Sequence, residues 1–133
     1  MSVFDTLRIA ASGLTAQRLR MDVAASNIAN AGSAGRPGGG PYAPEAVVFA
    51  AVPVGQAETP GVAALAVPAV GRTIRVYDPN HPAADANGFV TLPDVDVAAE
   101  IADLIGAARS YSLNATVTAA AKQSALDALE IGR

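Results

Sequence analysis

Residues 3–30 read VFDTLRIAASGLTAQRLRMDVAASNIAN, a stretch with no proline and a single glycine, Gly13. Apolar or small residues recur at Phe4, Leu7, Ala11, Leu14, Met21, Ala25 and Ile28, so the spacing alternates between three and four. That alternation keeps one stripe of an α-helix facing a partner helix. Arg18 alone interrupts the stripe, and its aliphatic stem can lie along the seam with the charge in solvent. Such a helix is about 40 Å long. β-branched Val3, Ile9, Val23 and Ile28 lower its intrinsic propensity, so the segment is expected to be largely disordered until it finds a partner.

The far end of the chain repeats the pattern. Asp94 and Asp96 offer side-chain oxygens to the free N–H groups of a starting helix, and Glu100 and Asp103 suit its positive end. From Val97 the seam runs through Ile101, Leu104, Ala108, Tyr111, Ala115, Thr118, Lys122, Ala125 and Leu129, with Ile105 and Leu126 widening it. This helix reaches Ile131, a length of about 50 Å.

Between the helices the texture changes twice. Residues 31–44, AGSAGRPGGGPYAP, are too rich in Gly and Pro for regular structure and predict a flexible link. Residues 45–92 hold short β-branched runs, AVVFAAV, VAALAV, TIRVY and GFVTL, separated by Pro and Gly, which predict three or four short strands. TIRVY sets Ile74 and Val76 against Thr73, Arg75 and Tyr77, the alternation of a half-buried strand in a small sheet. The fold class is therefore α+β: an N-terminal helix over 1–30, the link over 31–44, a small β-rich insert over 45–92 and a C-terminal helix over 93–133. An insert of this size cannot cover both helical faces. They are expected to bury themselves on each other or on neighbouring chains, so association is the expected role.

Composition removes several other roles. The 133 residues suit one domain; half are apolar, but Ala and Val supply much of that and only 5% are aromatic. A net charge of −3 without a basic run excludes the cationic field of a nucleic-acid binder. With no cysteine there is no disulfide, thiolate nucleophile or thiolate metal site. No run is long and apolar enough to enter a membrane, and Asp5 and Arg8 interrupt any secretory-signal core at the N-terminus.

The polar stretch Asp78-Pro79-Asn80-His81-Pro82-Ala83-Ala84-Asp85-Ala86-Asn87-Gly88 superficially resembles a calcium loop. Aligning Gly88 with the sixth position of such a loop puts Ala83 where the first carboxylate belongs and Asp94 where a bidentate Glu is needed. His81 is the only histidine and reads as a loop hydrogen-bonder; no second imidazole or thiol completes a metal set. No G-x-S-x-G elbow is present, and the Gly-rich link lacks the G-K-[ST] ending of a phosphate loop. The chain is not expected to be an enzyme, nor to carry a cofactor or metal.

Three blocks carry a resemblance. Ser12 to Asn30, SGLTAQRLRMDVAASNIAN, closely resembles the N-terminal signature of the flagellar rod and hook protein family. YDPNHPAADANGFVTLPDVDV, with Asp78, Pro79, His81, Pro82, Asp85 and Gly88, is similar to the Asp-Pro-x-His-Pro loop of short proximal-rod members. Glu100 to Ile105, Arg109, Tyr111 and Asn114, then Ala121 to Arg133, resemble the C-terminal helix of the same proteins. Asn80 replaces a frequent Gly, and Ser112-Leu113 a frequent Gln-Ala.

The resemblance implies a structural subunit of the basal-body rod, passed unfolded through the flagellar type III export apparatus and assembled across the periplasm to transmit torque. Its implied partners are other rod proteins and copies of itself. It also implies that the helices from Leu7 to Ile28 and from Val97 to Leu129 pair as an antiparallel coiled coil, with the β insert outside them. Asn27 and Asn30 fit the Asn-x-x-Asn of the signature and are expected either to end the helix or to bridge subunits. A soluble helical adaptor or flagellar export chaperone is the alternative, because such proteins also expose amphipathic helices.

Overall fold

The computed structural model describes residues 3–35, 40–54 and 59–131. Two long helices, α1 (Val3–Asn30) and α2 (Val97–Ile131), bracket four strands: β1 (Glu45–Val54), β2 (Thr59–Pro68), β3 (Thr73–Tyr77) and β4 (Phe89–Pro93). The helices pack on each other in opposite directions, since Asn27 near the end of α1 bonds Glu100 at the start of α2, while Gly13 faces Asn114. Asp96 caps α2 as its spacing predicts: Oδ1 accepts the N–H groups of Ala98 (3.0 Å) and Ala99 (3.1 Å). The α+β class and the paired terminal helices stand as expected.

The insert departs from expectation. Its strands form two separate antiparallel hairpins, β1 with β2 and β3 with β4. The first lies along α1, where Ser12 Oγ donates to the Ile9 carbonyl and accepts the Val62 N–H at 3.1 Å. Every residue of β3 is exposed, so its clean alternation does not mark a half-buried strand. Nothing covers Ile74 and Val76, because the second hairpin stands away from both helices and shields only its β4 side. The link 31–44 is tied down at its described end: Pro44 is buried, its carbonyl accepts the Ala69 N–H, and the Tyr42 hydroxyl is bonded twice. The remainder of that expected flexible stretch, residues 36–39, lies outside the described residues.

The helix contact itself is made by small and polar side chains. On α1 the buried residues are Ala10, Ala16, Val23, Ala24 and Asn27; on α2 only Ala107 is buried. Gly13 sits so close to α2 that an added Cβ would lie 2.8 Å from Asn114 Nδ2. That amide ends a side chain able to swing away. Alanine at Gly13 therefore gains about 1 kcal/mol of helix propensity against a modest contact, while a branched residue wedges the helices apart. Circular dichroism of the free chain is expected to show Gly13→Ala combined with Asn114→Ala as more helical than the parent, and Gly13→Leu as less.

Candidate assembly interface

At 3.6 residues per turn each position advances the helix face by about 100°, and this sorts the seam residues. Toward α2, α1 turns Ala10, Gly13, Gln17, Arg20, Ala24 and Asn27; toward the first hairpin it turns Ser12, Ala16, Leu19 and Val23. Leu7, Leu14, Met21 and Ile28 lie half-buried on the opposite flank, and Ala11 and Ala25 are exposed beyond them. On α2 the contact runs along Glu100, Leu104, Ala107, Asn114, Thr118, Ala121 and Ala125. Against the predicted seam, every second position is displaced by one residue. Ile101, Ala108, Ala115 and Leu129 are exposed as a result, Tyr111 is marginally so, and Leu104 and Ala125 are half-buried.

The displaced residues do not scatter. Because the helices are antiparallel, the flank carrying Leu7, Leu14, Met21 and Ile28 on α1 and the flank carrying Val97, Ile101 and Ala108 on α2 turn to the same side of the pair. That side is opposite the β1–β2 hairpin, which is separated from α2 by grooves whose far walls include Ala99 and Val117. The result is a long apolar strip across two helices, with Ile101 44% exposed.

Polar contacts hold the pair in this rotation. Arg20 clamps Asp103 with two nitrogens, Nε to Oδ2 at 2.8 Å and Nη2 to Oδ1, and its guanidinium lies 5.9 Å from the centre of the Phe49 ring. The Asp103 hydrogen bond raises Arg20 above its ordinary pKa. Asn27 is only 1% exposed and uses its whole amide. Nδ2 donates to the Glu45 carbonyl (2.8 Å) and Glu100 Oε1 (2.9 Å), while Oδ1 accepts the Glu45 N–H (3.0 Å) and the Tyr42 hydroxyl (3.0 Å). Asn27 therefore has no capacity left for a neighbouring subunit. Asn30 ends the helix, donating to the Ser26 carbonyl and accepting from Ser33 Oγ. Glu45, Tyr42 and Glu100 were not legible as Asn27 partners, because a buried Asn does not announce which distant backbone it will meet.

The loop from Asp78 to Gly88 is built by short-range bonds. Asp78 Oδ1 accepts the Asn80 N–H and His81 Nδ1 the Ala83 N–H, leaving Pro79 and Pro82 to stiffen the turn. Asp85 Oδ1 takes the N–H groups of Asn87 and Phe89, and Oδ2 pairs with Arg75 at 2.5 Å. The Phe89 N–H, then that of Asn87, and more weakly Arg75 hold the Asp85 carboxyl below its ordinary pKa. Its contribution to the loop is thus present above the unfolded-state pKa and lost as pH falls through the folded one. Gly88 has φ of +80°, and a Cβ there would lie 2.9 Å from the Tyr77 ring.

Removing the Asn27 amide strands several groups at once. Asn27→Leu is expected to cost about 1–3 kcal/mol for the buried partners left unpaired. Tyr42→Phe, which deletes one donor, costs about 0.5–1.5 kcal/mol. Exchange protection of the Glu45 amide together with helix content measures both; equal effects would show that Asn27 is not the junction's anchor.

Comparison with known proteins accords with these elements. The family model described as flagella basal body rod protein matches residues 7–35, and that described as flagellar basal body rod FlgEFG protein C-terminal matches residues 86–131. The flagellar basal-body rod protein FlgC of Escherichia coli is 40% identical across the full length of both chains, and that of Salmonella typhimurium likewise. FlgC of Borreliella burgdorferi is 36% identical over 98% of each chain. With both helical ends and the whole length accounted for, the chain belongs to the FlgC family and is a structural subunit of the flagellar basal-body rod.

Proposed function

We propose that this subunit polymerises, with copies of itself and with other rod proteins, through the apolar strip shared by α1 and α2. The carrying observation is that the two helices meet through Ala, Gly and hydrogen-bonded polar residues and leave Leu14, Met21, Ile101 and Ala108 on one side. The strip takes in the sequence-predicted residues Leu7, Ala11, Ala25, Ile28, Ala108, Tyr111, Ala115 and Leu129, whereas Leu104 and Ala125 lie along the internal contact and Asn27 and Asn30 act inside the subunit. Burying large side chains contributes about 1.5–3 kcal/mol each, far more than the alanine-lined internal contact supplies.

Long helices aligned side by side suit the transmission of motor torque along a rod in the periplasm. Passage through the type III export apparatus is favoured by the same economy. A chain with no disulfide and a thin alanine-lined internal core unfolds easily for threading and regains stability on assembly. No helix among the described residues is long and apolar enough to cross a membrane.

Leu14→Asp and Ile101→Asp are expected to block incorporation into basal bodies, because an unpaired charge in a packed interface costs several kcal/mol, roughly 3–5. Both positions are only partly buried in the single chain, so its circular dichroism should barely change. Wild-type motility in either strain would count against the strip. Hydrogen exchange supplies a second check: amides of α1 and α2 should exchange quickly in the free chain and become protected in the rod. Strong protection in a stable free dimer would instead favour the adaptor role.

A further inference from the structure

Two isolated hairpins have four outer edges, and the positions of prolines and hydrogen bonds show which of them are open. Pro53 of β1 faces Pro60 of β2, and neither has an N–H, so that pair is not hydrogen-bonded. By alternation Val47, Phe49 and Ala51 of β1 point their N–H and C=O groups away from β2. The Glu45 N–H bonded to Asn27 and the Val62 N–H bonded to Ser12 have this same outward parity. On β2, then, Pro60 and Pro68 lack a donor and Val62 has spent its own, which leaves only Ala64 and Ala66 open, whereas Val47, Phe49 and Ala51 of β1 are three in succession with no outward partner among the described residues.

The second hairpin has the same asymmetry. Thr73 faces Pro93, so Thr73, Arg75 and Tyr77 turn outward from β3, and the Asp78–Gly88 and Arg72–Asp94 backbone bonds confirm the parity. On β4, Pro93 has no donor and Asp85 bonds both the N–H and the C=O of Phe89, so Thr91 is the one outward residue left without a partner among the described residues. The first hairpin thus opens at β1 and the second at β3, each with three consecutive outward-facing residues.

We infer that the β1 edge of one copy pairs with the β3 edge of the next, extending β2–β1 into an intersubunit sheet. The inference rests on copies lying next to one another in the rod. Subunits of a rod growing in one direction share one orientation, so their contact must join different surfaces; pairing β1 with β1 would demand a twofold axis. Antiparallel pairing with Phe49 opposite Arg75 satisfies all six outward residues. It brings Arg75, which in the single chain pairs with Asp85 at an exposed site, to the groove between β1 and α2, where it can exchange that partner for an acidic lining in which Glu45, Glu100 and Asp103 outnumber Arg20. It also lays Ile74 and Val76 beside Val48, 52% exposed, and Leu65, 66% exposed, on a hairpin face whose residues from Ala46 to Val52 and from Gly61 to Val67 are all apolar.

In this register Val48 and Val76 are a non-hydrogen-bonded cross-strand pair, the geometry that favours a disulfide. The native chain has no cysteine, so introduced thiols report without background. Basal bodies from cells co-expressing Val48→Cys and a tagged Val76→Cys, oxidised and run without reductant, are expected to yield a covalent heterodimer. Phe49→Pro in the Val48→Cys copy removes an outward donor while sparing the internal ladder, and should abolish the link with Val48 and Ala50 amides still protected. Failure to form the heterodimer, its persistence with Phe49→Pro, a homodimer of Val48→Cys alone, or a link to a different rod protein would each overturn the pairing. Recovery of both variants in the basal bodies without a link would overturn it and leave rod assembly standing; absence of the unsubstituted chain from basal bodies would sink the rod reading instead.

Discussion

The four hydrogen bonds of Asn27 are the constraint on which the rest of the structure depends. Its amide pairs with both the N–H and the C=O of Glu45, as a neighbouring strand would, so the start of β1 is fixed to the end of α1. The same amide holds Glu100 in the first turn of α2 and the Tyr42 hydroxyl of the incoming link. Around that point the chain leaves α1, enters and leaves the first hairpin, and enters α2. One fully satisfied polar side chain therefore sets where the insert sits and how α2 is rotated about its own axis, a specificity that alanine contacts alone do not supply.

That rotation decides which residues remain for other subunits. Arg20 and Asp103 fix it one hydrogen-bonded step further along, and Gly13 lets the backbones approach beyond. The internal core is correspondingly thin: of the buried apolar residues among those described, four are alanines, and only Val23, Val90, Pro44 and Pro93 are larger. Each buried methyl contributes about 0.8 kcal/mol, so the isolated subunit gains little from packing and much of its stability must come from neighbours.

Periodicity made the two helices and their boundaries legible in the sequence, because Val3–Asn30 and Val97–Ile131 are long enough for spacing to dominate. The Asp96 cap and the His81 loop bond were legible as local chemistry. The rotation of α2 was not. Spacing ranks stripes by apolar content, and the richest one, through Ile101, Ala108 and Ala115, was the natural candidate for the intramolecular seam. The actual contact is chosen by Asn27–Glu100 and Arg20–Asp103, pairs separated by 73 and 83 residues that no local pattern exposes. TIRVY misled for a related reason: alternation reports a strand with two different faces, and only the assembly decides whether the apolar one is covered.

These two misreadings have one physical origin. A monomeric protein closes its most apolar surfaces against each other, so stripe strength predicts internal contact. A subunit that polymerises through the proposed strip cannot do so: had α1 and α2 met through Leu14 and Ile101, the free chain would be more stable and that strip would be gone. Spending alanine, glycine and paired polar groups on the internal contact keeps the large side chains available. The same logic applies to the hairpins, whose prolines and side-chain bonds interrupt one edge of each more than the other. The sequence features that look weak in a single chain are the ones that direct its stabilisation to the contacts between chains.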